Sequence, residues 1–193
     1  MPVTTREKLL EKGMTLLLHH GYHDTGIQQI LTETGIPKGS FYHHFESKEA
    51  FGLAVIDYYS ARVFTKLDHC LAKKEKPPIE CLHGFFQQCL DDYDQVRYRG
   101  GCLFGNLGQE LADESAAFRE RIEAHFEHFT QRIASVLEAA LDRGELSPWL
   151  DPLEMAGVLV SSWQGALIRM KLQQNREPVD AFCRFYFDAL RAA

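Results

Sequence analysis

The residues best suited to chemistry in this 193-residue chain fall in two short stretches. The first runs Ile36-Pro37-Lys38-Gly39-Ser40-Phe41-Tyr42-His43-His44-Phe45. Lys38 can reach a phosphate or a guanine edge, Gly39 lets backbone approach a duplex closely, and Ser40, Tyr42 and His43 offer hydrogen bonds to phosphates or bases. Thr25 and Lys48 stand at expected helix starts, where backbone N–H groups and the helix dipole favour an anion. The second stretch is Gly100-Gly101-Cys102. A thiol at a helix N-terminus, with Arg97 and Arg99 close in sequence, favours the thiolate, the form that attacks electrophiles and is oxidised to sulfenic acid. Cys102 is therefore a candidate redox or electrophile sensor, with Lys171 as a candidate charged neighbour. Trp163, Phe126 and Phe129 are candidates for the wall of an apolar effector cavity. Plainer readings stand beside these: a small buried cysteine, an exposed lysine near a helix end, and core aromatics at helical spacing.

Other chemistries find less support. Five cysteines (Cys70, Cys81, Cys89, Cys102 and Cys183) are an odd number without a CxxC pair, which favours free thiols over a disulfide framework or a cysteine zinc site. Cys81 and Cys89 sit in apolar periodicity and read as core. His19, His20 and His23 cluster, and His125 and His128 lie at i, i+3, but spacing secures only pairs where a transition metal needs three or four ligands. No metal and no cofactor are expected. No Ser/His/Asp or Cys/His/Asn arrangement and no phosphate-cradling glycine loop is visible, so no catalytic residue is assigned and the chain is not expected to be an enzyme. A cysteine-dependent helical enzyme remains as an alternative.

The formal charge of −6 gives no general support to nucleic-acid binding, so any DNA contact must come from a local motif. Hydrophobic residues make up 45% of the chain, enough for a substantial core. No apolar run approaches the roughly 20 residues that span a bilayer, and the first residues lack the layout of a secretory signal. The expectation is a cytoplasmic protein without a membrane partner.

The elements that must hold these residues read as helices. Thr5 to His20 places Leu10, Met14 and Leu17 on one stripe, and Gly21 ends it. Thr25-Gly26-Ile27-Gln28 fits a capping box for a second helix, which ends near Thr34-Gly35. Pro37 fits the first position of a third, with Phe41 and Phe45 facing inward. Ser47 fits the cap of a long fourth helix from Lys48 to about Leu71, broken at Lys73 to Pro78. Later helical periodicity and the Asp151-Pro152-Leu153-Glu154 start bring the total to about nine, an all-α chain. The expected organisation is a three-helix helix-turn-helix over residues 1–48 and a helical bundle for sensing and dimerisation over residues 49–193. Met155, Leu159, Trp163, Ala166 and Met170 form one apolar stripe and Val160, Leu167 and Ile168 another, with Phe182, Phe185, Tyr186 and Phe187 following. A helix apolar on two sides is covered on two sides, which suits a homodimer built on the last two helices. A central helix buried within a monomer is the alternative.

A helix, a glycine-containing turn and a short second helix make the helix-turn-helix plan, whose second helix enters the major groove. Thr25, Ile27 to Ile30, Gly35-Ile36, Lys38-Gly39-Ser40, Tyr42, Phe45 and Ser47-Lys48-Glu49 together resemble the N-terminal signature of the TetR family of repressors. Pro37 departs from the serine cap the family often carries. The resemblance implies an all-α homodimer that binds double-stranded operator DNA, with a C-terminal domain that takes a small-molecule effector and changes the separation of the two DNA-reading heads. Gly101-Cys102-Leu103, Glu110-Leu111-Ala112 and Gly165-Ala166-Leu167 followed by Lys171 are similar to the NemR-type branch, repressors that respond to electrophiles and oxidants. A reversible apolar ligand on the same fold is the alternative effector.

Overall fold

The computed structural model describes residues 3–72 and 75–192, without the side chains of residues 189, 191 and 192. The described residues form nine α-helices and no strand: α1 (Thr5–His20), α2 (Ile27–Thr34), α3 (Lys38–His44), α4 (Lys48–Leu71), α5 (Pro78–Gln95), α6 (Leu103–Leu111), α7 (Ala116–Asp142), α8 (Pro152–Gln173) and α9 (Glu177–Ala192). None of them is long and apolar enough to cross a membrane.

Local chemistry sets the boundaries. At the start of α1 the Thr4 hydroxyl accepts from the Glu7 N–H at 3.1 Å while the Glu7 carboxylate accepts from the Thr4 N–H at 2.8 Å, a reciprocal capping box. The box expected at Thr25 does not form. Gly26 caps α2 without a side-chain bond, and the fully buried Thr25 hydroxyl donates back to the Gly21 carbonyl at 2.6 Å. Thr25 lies one residue before the cap, so its side chain meets the end of α1 instead of the open donors of α2. Gly35 ends α2 at φ +67°, the left-handed conformation expected of it. Pro37 occupies the cap of α3, one position earlier than expected. The Ser47 oxygen accepts from the Ala50 N–H at 3.0 Å, and Asp151 accepts from Leu153 and Glu154 ahead of α8. Of the expected break from Lys73 to Pro78, Lys73 and Lys74 lie outside the described residues.

The helices divide into two compact units. Unit one takes the chain up to Arg62 and Cys102–Ala124, so it holds α1 to α3, most of α4, α6 and the first turns of α7. Its core is Leu9, Leu10, Leu17, Ile30, Phe41, Phe51, Leu107 and Phe118, all nearly inaccessible. Gly13 of α1 lies directly under the Phe51 ring, where any Cβ would overlap it.

Unit two takes Val63–Gly101 and the chain from His125. Phe86 packs edge-on against Trp163 at 4.7 Å between ring centres, Phe187 closes the same cluster, and the Tyr186 hydroxyl donates to the Met155 carbonyl at 2.8 Å. Arg176 bridges Asp94 of α5 and Asp180 of α9.

Within unit two, α8 buries more of itself than its two expected stripes suggest. Val160 and Leu167, expected on the second stripe, are buried with Leu159, Trp163 and Met170 of the first, whereas Ile168 is exposed. The uncovered stripe is instead Val158, Ser161, Gly165, Ile168 and Leu172, all exposed and spaced three and four residues apart in alternation.

Candidate nucleic-acid interface and sensor helix

Unit one holds every residue expected to touch DNA. The inner face of α3 is fixed by Phe41 and Phe45, whose rings lie 5.2 and 5.0 Å from that of Phe51. Burying two aromatic rings on a seven-residue helix orients it without help from its own short length. Its outer face therefore presents Lys38, Gly39, Tyr42 and His43 to solvent, with Ser40 half-buried at the edge. The Lys38 ammonium lies 5.9 Å from the centre of the Tyr42 ring, which puts the cation and the phenol in one patch. A Cβ on Gly39 would meet nothing within 4 Å, so its bare backbone serves no internal packing and stays open to an approaching surface.

Two expected contacts sit differently. Thr25 is fully buried and its hydroxyl is engaged with Gly21, so its side chain cannot face a phosphate in this conformation. It fixes the turn between α1 and α2. Lys48 is half-buried; its ammonium donates to the His23 carbonyl at 3.4 Å and lies 4.4 Å from the centre of the Tyr22 ring. Burial draws this ammonium below the usual lysine range, and the carboxylates of Glu110 and Asp24 oppose that shift.

The same turn carries a contact that sequence reasoning missed. The Glu110 carboxylate, on α6, accepts from the backbone N–H of Tyr22 at 2.9 Å and of His23 at 2.8 Å. One turn earlier on α6, the Asn106 amide donates to the Leu18 carbonyl at 3.5 Å. Nothing local marks Glu110, because its partners are backbone groups more than eighty residues away.

Cys102 stands at the cap of α6, 8% exposed, with no bond from its side chain to the helix donors. The chain reaches it through strained backbone: Arg97 and Tyr98 have φ +52° and +60°, values that non-glycine residues adopt uncommonly, and Gly100 and Gly101 follow at +89° and +79°. Arg97 and Arg99 are exposed. The other candidates for the sensor belong to unit two. Lys171 is exposed in the last turn of α8, and Trp163 is buried between Phe86 and Phe182. Phe129 is buried and Phe126 half-buried. Burial pushes the Cys183 thiol up to about 12, the mark of a core cysteine. Among the described residues no group of three His, Cys, Asp or Glu side chains is arranged to hold a metal ion.

Residues 9–55 match the family of bacterial regulatory proteins named for TetR, and residues 78–186 match the tetracyclin repressor-like C-terminal domain. The chain belongs to the TetR family. The HTH-type transcriptional repressor DhaR of Mycobacterium sp. (strain GP1) is 35% identical over 96% of this chain and 91% of that repressor. The crystal structure of a TetR regulatory protein from Rhodobacter sphaeroides is 33% identical, with a TM-score of 0.90 over 94% of this chain and 96% of that one. The reduced form of E. coli NemR, an HTH-type transcriptional repressor, is 31% identical with a TM-score of 0.87 over 94% of each chain. This TetR-family chain is accordingly a DNA-binding transcriptional regulator: α2 and α3 fall within its matched N-terminal helix-turn-helix region, and residues 78–186 match its C-terminal domain.

Proposed function

We propose that this protein is a homodimeric repressor that grips a palindromic operator through the outer face of α3 and leaves it when an effector engages the chain around Cys102. Residues 1–48 read DNA and residues 49–193 sense and dimerise, with α6 acting on the reading heads. The observation that carries this reading is the course of α6, which runs from its cap at Cys102 to its last turn, where the Glu110 carboxylate holds the turn before α2. A nine-residue helix moves as a rod, so a group added at Cys102 displaces Glu110 and with it the α1–α2 turn. The strained entry through Arg97 and Tyr98 supports a segment that yields under such a push.

In the DNA-bound form Lys38, Ser40, Tyr42 and His43 meet phosphates or base edges, and the start of α4 at Ser47-Lys48 meets a phosphate. In the response, the Cys102 thiol adds across the C=C bond of a conjugated carbonyl: a C–S bond forms at the β-carbon, the C=C π bond and the S–H bond break, and the thiol proton passes through water to the α-carbon. The repressor names of the DhaR and NemR relatives and the reduced state of the NemR structure support this direction.

The deciding experiment is Cys102→Ser in operator release by a conjugated aldehyde. The variant is expected to bind operator as the wild type does and to stay bound when the aldehyde is added. Release as ready as that of the wild type would sink the sensor. The second reading, a reversible ligand with an apolar body, is favoured by a cavity of about 410 Å³ in unit two whose walls combine Leu71, Pro78, Val136 and Ala139 with Lys76, Arg132 and Arg143. It predicts that an unreactive ligand releases the wild type and Cys102→Ser equally.

A further inference from the structure

The cavity of about 410 Å³ in unit two is built from three helices. Leu71, at the end of α4, and Pro78, at the start of α5, belong to two of its walls. The third is a face of α7: Arg132, Ser135, Val136, Ala139 and Arg143 all line it, at the three- and four-residue spacing of one helical stripe. Two polar ties hold the walls together. The Arg132 guanidinium bonds the Asp68 carboxylate near the end of α4, and Arg143 Nη1 donates to the Lys76 carbonyl ahead of α5 at 3.4 Å. Ser135 and Ala139, small and exposed, take up little of the space between the two arginines.

The wall is one-sided in charge. Lys76, Arg132 and Arg143 line the cavity, and among the described residues no Asp or Glu does. Each cation has a carboxylate partner, Glu80, Asp68 and Glu145 in turn, and all three partners stand outside the lining. These pairs are partly exposed, and exposed pairs contribute little, so a cation shares or exchanges its partner at small cost. A cationic ligand meets three like charges here. A purely hydrophilic anion leaves the surface of Leu71, Pro78 and Val136 unmatched. Arg132 and Arg143 stand three turns apart on α7, about 16 Å along its axis, so one small head group meets one end of the stripe. The Arg143 end carries the second cation, Lys76.

We propose that this cavity binds a small carboxylate with an apolar body, its head between Lys76 and Arg143 and its body along Leu71, Pro78 and Val136. A volume in the lower part of the roughly 300–1,000 Å³ of small-molecule sites suits a compact acid. The proposal deepens the reversible-ligand reading, and rests on that reading only for what binding does to the operator.

The test measures binding of octanoate to the full-length protein by calorimetry, beside 1-octanol and octylammonium, which keep the body and change the head. Octanoate is saturated and offers Cys102 no conjugated carbon. It is expected to bind about tenfold or more tightly than 1-octanol, the worth of a charge-assisted bond, and octylammonium more weakly than either. Arg143→Gln should abolish the preference for octanoate and leave 1-octanol within about twofold. Where that variant fails to fold, Lys76→Gln, at an exposed position, makes the same distinction. Ala139→Trp, also at an exposed position, fills the cavity and should weaken both ligands by about tenfold or more. Octanoate that binds no better than 1-octanol, or that binds undiminished in Ala139→Trp, overturns the proposal. Operator release is read separately. Octanoate that binds with the expected pattern but leaves the operator occupied supports the site and removes the reversible-ligand reading. Release by 1-octanol as ready as by octanoate, with equal affinities, overturns the carboxylate site and keeps that reading.

Discussion

The Glu110 carboxylate accepts from the backbone N–H of Tyr22 at 2.9 Å with one oxygen and from that of His23 at 2.8 Å with the other. Gly21 lies so close that a Cβ there would stand 2.7 Å from a Glu110 oxygen, and its φ of +80° already disfavours any side chain. An ionised acceptor on two backbone donors is stronger than a neutral one, at roughly 1.5–3 kcal/mol per bond where water is excluded and less at this half-exposed turn.

Glu110→Ala is therefore expected to lower stability by about 1–3 kcal/mol and to loosen the α1–α2 turn. Thermal unfolding checks the first effect. Hydrogen exchange at the Tyr22 and His23 amides checks the second, and unchanged protection there would remove Glu110 from the path to the reading heads. Gly21→Ala should act at the same place and in the same direction, through strain and crowding.

Lys38 projects from α3 beside Tyr42, with no carboxylate paired to it among the described residues. Lys38→Ala should weaken operator binding and, as a phosphate contact repeated in both subunits, lower the slope of log affinity against log salt by about 1.8. A binding series from low to high salt measures it. An unaltered slope with lost discrimination between operator and random duplex would reassign Lys38 from a phosphate to a base edge.

Much of this chain was legible in its residues, and the reasons are local. Gly35, Pro37 and Ser47 act within a turn of their own position, so their effects on α2, α3 and α4 read directly, to within a residue. Phe41 and Phe45 face inward because their spacing allows no other common face. The same logic failed at Thr25, where a capping pattern one residue out of register gave way to the Gly21 carbonyl. It failed at Glu110 for a different reason: its backbone partners are joined to it by the tertiary fold, and no spacing rule connects them. On α8 the periodicity was visible, but which apolar stripe the neighbouring helices of unit two would consume was not.

Cys183 gives a pH test whose sign is fixed. Burial raises its folded thiol from 9.0 to about 12, so folding favours the neutral form. Below pH 9 the thiol is neutral in both states and its contribution to stability is fully present. Between about pH 9 and 12 the unfolded thiol ionises while the folded one does not, and stability falls as pH rises. Cys183→Ala should remove this part of the alkaline slope. Denaturant midpoints across that range, for both proteins, measure the difference.

The exposed stripe of α8 makes the strongest prediction about assembly. Val158, Ser161, Gly165, Ile168 and Leu172 repeat at three and four residues, the spacing of a seam that meets another helix, and the small Ser161 and Gly165 allow close approach. Phe185, 78% exposed on α9, adds a large apolar surface that water would otherwise cover. If this stripe and Phe185 meet their symmetry mates, Ile168→Glu and Phe185→Glu place a charge in an apolar seam twice over and should yield folded monomers. Leu167→Ala, one residue from Ile168 but turned into the core, should instead lower stability by about 2–5 kcal/mol and leave the dimer intact. Sedimentation and thermal unfolding separate the two outcomes. A dimer that survives both glutamate variants would move the interface to another face, whereas folded monomers with little operator affinity would tie DNA binding to the pairing of two α3 helices.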